Sequence, residues 1–220
     1  MKAYLRVLGF ICFILPISTV IISYTISVKL NLVQACIPNL EGCTSISRTG
    51  RYAPVKFFFK PMMYMYAVFL LLYWYNFIIE LNNFKINEKK FFWLSIFSVL
   101  FLVLYVSFLG EGKNYDFFRR IGIYIYIFFT VITQFLINKK LLINKEEIKK
   151  KFKIKYIKLN YFLTLFLLIS GLIALPILII KIENFPQIKN IISWNYFFLI
   201  QLYFLFSFFS FKKLSNPTTT

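Results

Sequence analysis

Two short polar stretches hold most of the side chains in this sequence that could do chemistry. Residues 44–54 read TSISRTGRYAP and bring Ser45, Ser47, Arg48, Thr49, Gly50, Arg51 and Tyr52. Residues 109–122 read LGEGKNYDFFRRIG and bring Glu111, Gly112, Tyr115, Asp116, Arg119 and Arg120. Arginine is the residue for a buried or half-buried anion: its planar fork grips phosphate or carboxylate through two parallel hydrogen bonds and stays charged at any depth. Gly50 and Gly112 allow backbone shapes in which N–H groups converge on such an anion. Asp116, Arg119 and Arg120 have i, i+3 and i+4 spacing, so on a helix they share a face and can pair. Read as an enzyme, the same set offers Glu111 and Asp116 as an acid and a base, with Arg48 and Arg119 steadying developing negative charge.

Everything around these stretches is apolar. Of 220 residues, 60% are hydrophobic and 21% aromatic, against roughly 45–50% apolar in a soluble domain. The apolar residues form uninterrupted blocks near the ~20 residues that cross a bilayer as a helix. Strand-like alternation is missing, and backbone groups in lipid must be satisfied within the chain, so the blocks read as helices. We expect an all-α integral membrane bundle of six transmembrane helices over residues 5–28, 61–79, 91–109, 121–137, 161–180 and 192–211. Pro61 is expected in a first helical turn, where its missing N–H costs nothing. The whole chain, 1–220, is one such domain, with a polar outward loop at 29–60 and a basic cytoplasmic loop at 138–160.

Orientation follows from the cations. The ends and even-numbered loops carry 16 of the 26 Lys and Arg residues, nine of them between Lys139 and Lys158. Basic excess marks the cytoplasmic side, which places both termini there and the two polar stretches outside. The net charge of +18 is thus a topology signal, and no nucleic-acid partner is expected. The basic run also suits attraction to anionic lipid. The expected location is a bacterial inner (plasma) membrane. The N-terminal MKAYLR resembles the start of a secretory signal, but the apolar stretch behind it is too long, so it is expected to remain as a span.

Cys36 and Cys43 flank IPNLEG in the first outward loop, an oxidising location, and are candidates for a disulfide that would constrain the chain just before the first polar stretch. Cys12 falls inside the first span as a small packing residue. With no His in the sequence, two cysteines make a poor zinc site; no metal and no cofactor is expected.

The segment SISRTGRYAP followed by an aromatic-rich span resembles the first-loop signature of the Frag/DRAM/Sfk membrane proteins, a group related to the N-terminal domain of the calcofluor-white-hypersensitive (CWH-like) proteins. Ile46, Ser47, Gly50 and Pro54 carry the match, and the six-span length and loop order are similar too. The resemblance implies a modulator of lipid remodelling, lipid asymmetry or membrane traffic. The sequence departs from the pattern where Val55 and Lys56 stand in place of the acidic residue that often follows the proline, and in lacking the histidine common near the fourth span.

Three function classes come out of this. The first is a non-enzymatic protein that binds or organises lipid, or supports a membrane-protein partner. Its ligand-binding candidates are Ser45, Ser47, Arg48, Thr49, Gly50, Arg51, Tyr115, Arg119 and Arg120, and its partners are membrane lipids, anionic headgroups included. The second is a lipid-modifying enzyme using Glu111 and Asp116, without the histidine that most often serves as base. The third is a small-molecule transporter, for which mid-membrane offers only neutral Asn76, Thr133, Gln134, Asn195 and Gln201, residues suited to interhelical hydrogen bonds. Reporter fusions placed after Gly42 and after Asn144 are expected to report opposite compartments; a shared compartment would overturn the orientation.

Overall fold

The computed structural model describes residues 2–82, 89–110, 112–179 and 186–212. Glu111 lies outside the described residues, as do Lys85 and Lys213. The elements in chain order are α1 (Lys2–Lys29), α2 (Pro38–Glu41), α3 (Ile46–Thr49), α4 (Val55–Asn82), α5 (Lys89–Ser107), α6 (Lys113–Ile143), α7 (Lys145–Ile148), α8 (Ile154–Ile179) and α9 (Pro186–Ser210). Six of them, α1, α4, α5, α6, α8 and α9, are long and apolar enough to cross a membrane. The chain is an integral membrane bundle of six transmembrane helices.

Each spanning helix packs on the next in chain order, and α9 returns to α1, so the six close into a ring. The axis of the ring is filled by side chains. Tyr66 on α4 meets Tyr126 on α6 hydroxyl to hydroxyl at 3.2 Å and donates to Gln201 Oε1 on α9 at 3.3 Å. All three are buried. Below them the Tyr73 and Ser207 hydroxyls share a 2.6 Å bond, and the Trp74 ring packs on Tyr203 and Phe204.

Helix ends differ from the sequence reading in one consistent way: most reach further. Helix α4 begins at Val55, so Pro61 lies inside it and not in its first turn. The turn before it already supplies helical bonds, Lys56 N–H to Tyr52 O and Phe57 N–H to Pro54 O, and burial of Val55 and Phe59 holds that extra length. Pro61 costs the helix the bond to the Phe57 carbonyl, a loss that membrane helices tolerate when neighbours pack around it. Likewise α6 starts at Lys113 and α8 at Ile154, because polar residues at the bilayer edge can still close backbone bonds.

The end of the bundle that carries the N-terminus is tied by an ion pair on a buried carboxylate. Extending α4 to Asn82 brings Glu80 into the packed interior, with its side chain 2% exposed, where Lys151 Nζ donates to it at 2.8 Å. The chain beside Lys151 pairs with the end of α9: Lys153 N–H donates to Ser210 O and Lys212 N–H to Lys151 O, an isolated antiparallel bridge at Phe152 and Phe211. Phe77 packs against both phenylalanines. The basic loop is therefore strapped to the bundle at its C-terminal part. Arg6, the charge inside the first span, lies over the Phe208 ring at 5.0 Å, a cation–π contact that lets it stay in an apolar setting.

Helices α5 and α6 approach closely at Gly122. A Cβ on Gly122 would stand 2.8 Å from the Tyr105 backbone nitrogen and 3.1 Å from the Phe101 carbonyl oxygen, so the small residue is what lets the backbones meet. Gly122→Ala must push the helices apart, and overpacking of this kind costs roughly 1–3 kcal/mol. We expect a lower melting temperature in detergent for Gly122→Ala; an unchanged melting curve would refute the close packing.

Candidate functional site

The stretch between α1 and α4 folds against α1 and α9 as a cap at one end of the bundle, and its polar groups explain how. Tyr24, on α1, holds both backbone groups of Cys36: its hydroxyl donates to the Cys36 carbonyl at 2.7 Å and accepts from its N–H at 2.9 Å. Ser27 Oγ donates to Thr49 O at 2.6 Å. From α9, Trp194 Nε1 donates to Thr44 O at 2.9 Å, Asn190 Nδ2 to Gly42 O at 2.8 Å and Asn195 Nδ2 to Asn39 O at 3.0 Å. Carbonyls that a loop would otherwise leave unpaired near the bilayer edge are thereby satisfied by side chains of the spanning helices. Gly42 has φ 65°, and a Cβ there would lie 2.1 Å from Gln187 O, so only glycine lets the cap sit this close to α9.

Cys36 and Cys43 form a disulfide across α2, with Cα atoms 6.5 Å apart. Inside the loop it closes, Glu41 accepts from the Ile37 N–H at 2.9 Å. The following turn, α3, is capped by Ser45, whose Oγ accepts from Arg48 N at 3.3 Å and lies 3.2 Å from Ser47 Oγ. Thr49 and Gly50 are buried. The Thr49 hydroxyl donates to Ile46 O at 2.7 Å, and a Cβ on Gly50 would stand 2.4 Å from the Phe59 ring. Ser45, Thr49 and Gly50 thus build the cap, while the arginines are what it presents.

Those arginines face two places. Arg51 is half-buried and close enough to Arg119, Asp116 and Tyr105 for their charges to interact; burial, and after it the Arg119 charge, pulls its pKa below the usual arginine value. Its Nε is buried with no hydrogen-bond partner among the described residues. Across from it, the first turns of α6 carry Asp116, which pairs with Arg119 through one oxygen and with Arg120 through the other, the latter at 3.2 Å. Arg119 is buried and also donates to Gly110 O at 3.3 Å. One carboxylate therefore serves two guanidiniums, with a third beside them: among these four side chains positive charge exceeds negative by two. Tyr115 is exposed, its ring lying over Gly110.

Arg48 points into a different setting. It is exposed and lines a pocket of about 470 Å³ with Asn31, Gln34, Cys43 and Thr44, between the end of α1 and the disulfide. Reading the sequence for charge picks out Arg48 but passes over Asn31, Gln34 and Thr44. A cluster of amides directly after an apolar span was the available signal.

The disulfide closes a short loop, and the chain-entropy cost it removes from the unfolded state is about 2.5 kcal/mol for such a length. Replacing Cys36 and Cys43 together by serine is expected to lower the melting temperature and to expose 37–42 to proteolysis first; equal stability and an unchanged cleavage pattern would show that the side-chain bonds from α1 and α9 suffice. No family model matches this chain, and no curated protein or solved structure matches it.

Proposed function

We propose that this chain is a non-enzymatic multi-pass membrane protein of Frag/DRAM/Sfk type that binds or organises lipid by holding an anionic headgroup at its outward face. The observation that carries this reading is the placement of Arg51 beside the Asp116–Arg119–Arg120 cluster. Two segments far apart in sequence contribute to one cationic spot at the end of the bundle read as outward, and among the described residues Asp116 is its one carboxylate, which leaves it short of negative charge. An incoming phosphate supplies that charge, and hydrogen bonds to charged groups contribute about 1.5–3 kcal/mol each. Asp116 is already engaged by two guanidiniums, which suits a positioning role better than proton transfer. The resemblance at Ile46, Ser47, Gly50 and Pro54 supports the same class.

In this reading both termini lie in the cytoplasm of a bacterial cell and the arginine cluster meets the outer leaflet of the inner membrane. The lysines at the opposite end, among them the exposed Lys145, Lys149 and Lys150, meet the anionic inner leaflet, as the positive-inside rule requires.

Mass spectrometry of lipid retained after gentle detergent extraction tests the proposal. Anionic phospholipid is expected to be enriched over its share in the membrane, and Arg51→Ala and Arg120→Ala to reduce that enrichment several-fold while Lys149→Ala does not. Retained lipid of bulk composition, or enrichment indifferent to Arg51 and Arg120, would sink it.

A further inference from the structure

We propose that the pocket between the end of α1 and the disulfide-closed turn is a second binding site, separate from the Arg51 cluster, for a phosphate ester with a polar body. Three observations carry it. The pocket is a half-open groove of about 470 Å³, a volume within the roughly 300–1,000 Å³ typical of small-molecule sites. Its lining includes one guanidinium, Arg48, and no acidic residue, and among the described residues no carboxylate pairs with Arg48. Third, Thr44 lines the same pocket at 1% exposure, and its Oγ1 is buried without a hydrogen-bond partner. A buried hydroxyl left unmatched is destabilising, and a ligand seated here would give it a partner.

The chemistry of the lining selects the ligand. The residues that line this one volume carry a guanidinium fork, a threonine O–H and two amide N–H₂ groups, from Asn31 and Gln34. That is more donors than the two oxygens of a carboxylate can absorb, and it suits a tetrahedral anion with three acceptor oxygens. The remaining amide oxygens accept from hydroxyls on the ligand body. The frame is fixed before binding: Thr44 follows the disulfide Cys43 and precedes the α3 cap Ser45, its carbonyl is held by Trp194, and Asn31 turns the chain at φ 54°. The phosphate can come from a soluble ester or from a phospholipid headgroup, since the pocket opens at the level where the span ends.

Trp194, bonded to Thr44, is a built-in reporter. The full chain in neutral detergent is titrated with sn-glycerol 3-phosphate and, separately, with short-chain dihexanoyl-phosphatidylglycerol, following tryptophan fluorescence and confirming by calorimetry. We expect a saturable response to at least one probe. Saturation by glycerol phosphate identifies a soluble ester; saturation by the lipid alone identifies a headgroup. Arg48→Ala is expected to weaken binding at least tenfold, and Thr44→Val several-fold while leaving the melting temperature unchanged or raised, because it removes an unmatched hydroxyl. Lys155→Ala, at the far end, is expected to bind as the parent does. No saturable response to either probe, or binding that Arg48→Ala leaves within twofold, overturns the proposal. Neither result bears on lipid enrichment through Arg51 and Arg120, which is read on different variants.

Discussion

Inside hydrocarbon a helix gains nothing hydrophobic by leaving lipid for another helix, so the hydrogen bonds at the ring axis are the interaction on which this architecture depends. Tyr66, Tyr126 and Gln201 come from α4, α6 and α9, three helices that are not neighbours in the ring. A hydroxyl or amide with no partner at that depth carries a desolvation cost of a few kcal/mol, and each of these side chains finds its partner only when alternate helices of the ring face one another. The junction thus sets which faces point inward, and aromatic packing of Trp74, Tyr203 and Phe204 follows below it. The positions of Arg51 and Arg119 are a consequence, because α4 and α6 carry or adjoin both.

The cap obeys the same constraint at the membrane edge. A loop of this length has carbonyls to satisfy, and they are met by Tyr24 and Ser27 from α1 and by Asn190, Trp194 and Asn195 from α9. These two helices are adjacent in the ring, so the cap rides on one seam of the bundle. The polar residues of the stretch divide accordingly. Ser45, Thr49 and Gly50 hold the fold of the cap, and the two arginines beside them diverge, Arg48 toward the disulfide side and Arg51 toward α6.

Much of the scaffold was legible in the sequence, for a physical reason: a bilayer needs about 20 apolar residues per crossing, and that length is visible without any partner. Boundaries were less so. Val55 to Lys60 and Lys113 to Arg120 read as loop because they are charged or follow a proline, yet they are helical, since helix formation at the interface depends on closing backbone bonds and on burying Val55, Phe59 and Arg119. Pro61 marks no start for the same reason. The i, i+3, i+4 relation of Asp116 to Arg119 and Arg120 was readable once helix was granted, because spacing on a helix is geometry. Which arginine of the first stretch faces α6 was not, because a short irregular turn has no period from which to project direction. The mid-membrane polar residues divide in the same manner: Gln201 bonds across helices, whereas Asn76 and Thr133 donate to carbonyls of their own helix at Leu72 and Phe129. Nothing local to those residues distinguishes the two outcomes.

The two ends of the bundle are held by opposite means, and that difference bears on what each can do. At the end that carries the N-terminus an ion pair on a buried carboxylate, Glu80 with Lys151, and the bridge at Phe152 and Phe211 fasten a lysine-rich strap; most of its remaining lysines are exposed, an arrangement that attracts a charged surface without defining a pose. At the opposite end a disulfide, several side-chain-to-carbonyl bonds and two glycines without room for a Cβ fix the cap. Ordering an arginine side chain on binding costs about 0.5–1.5 kcal/mol, and a backbone that is already fixed adds no further ordering cost to that. The cap end thus offers a frame that exists before any ligand arrives, and the opposite end offers exposed charge without such a frame.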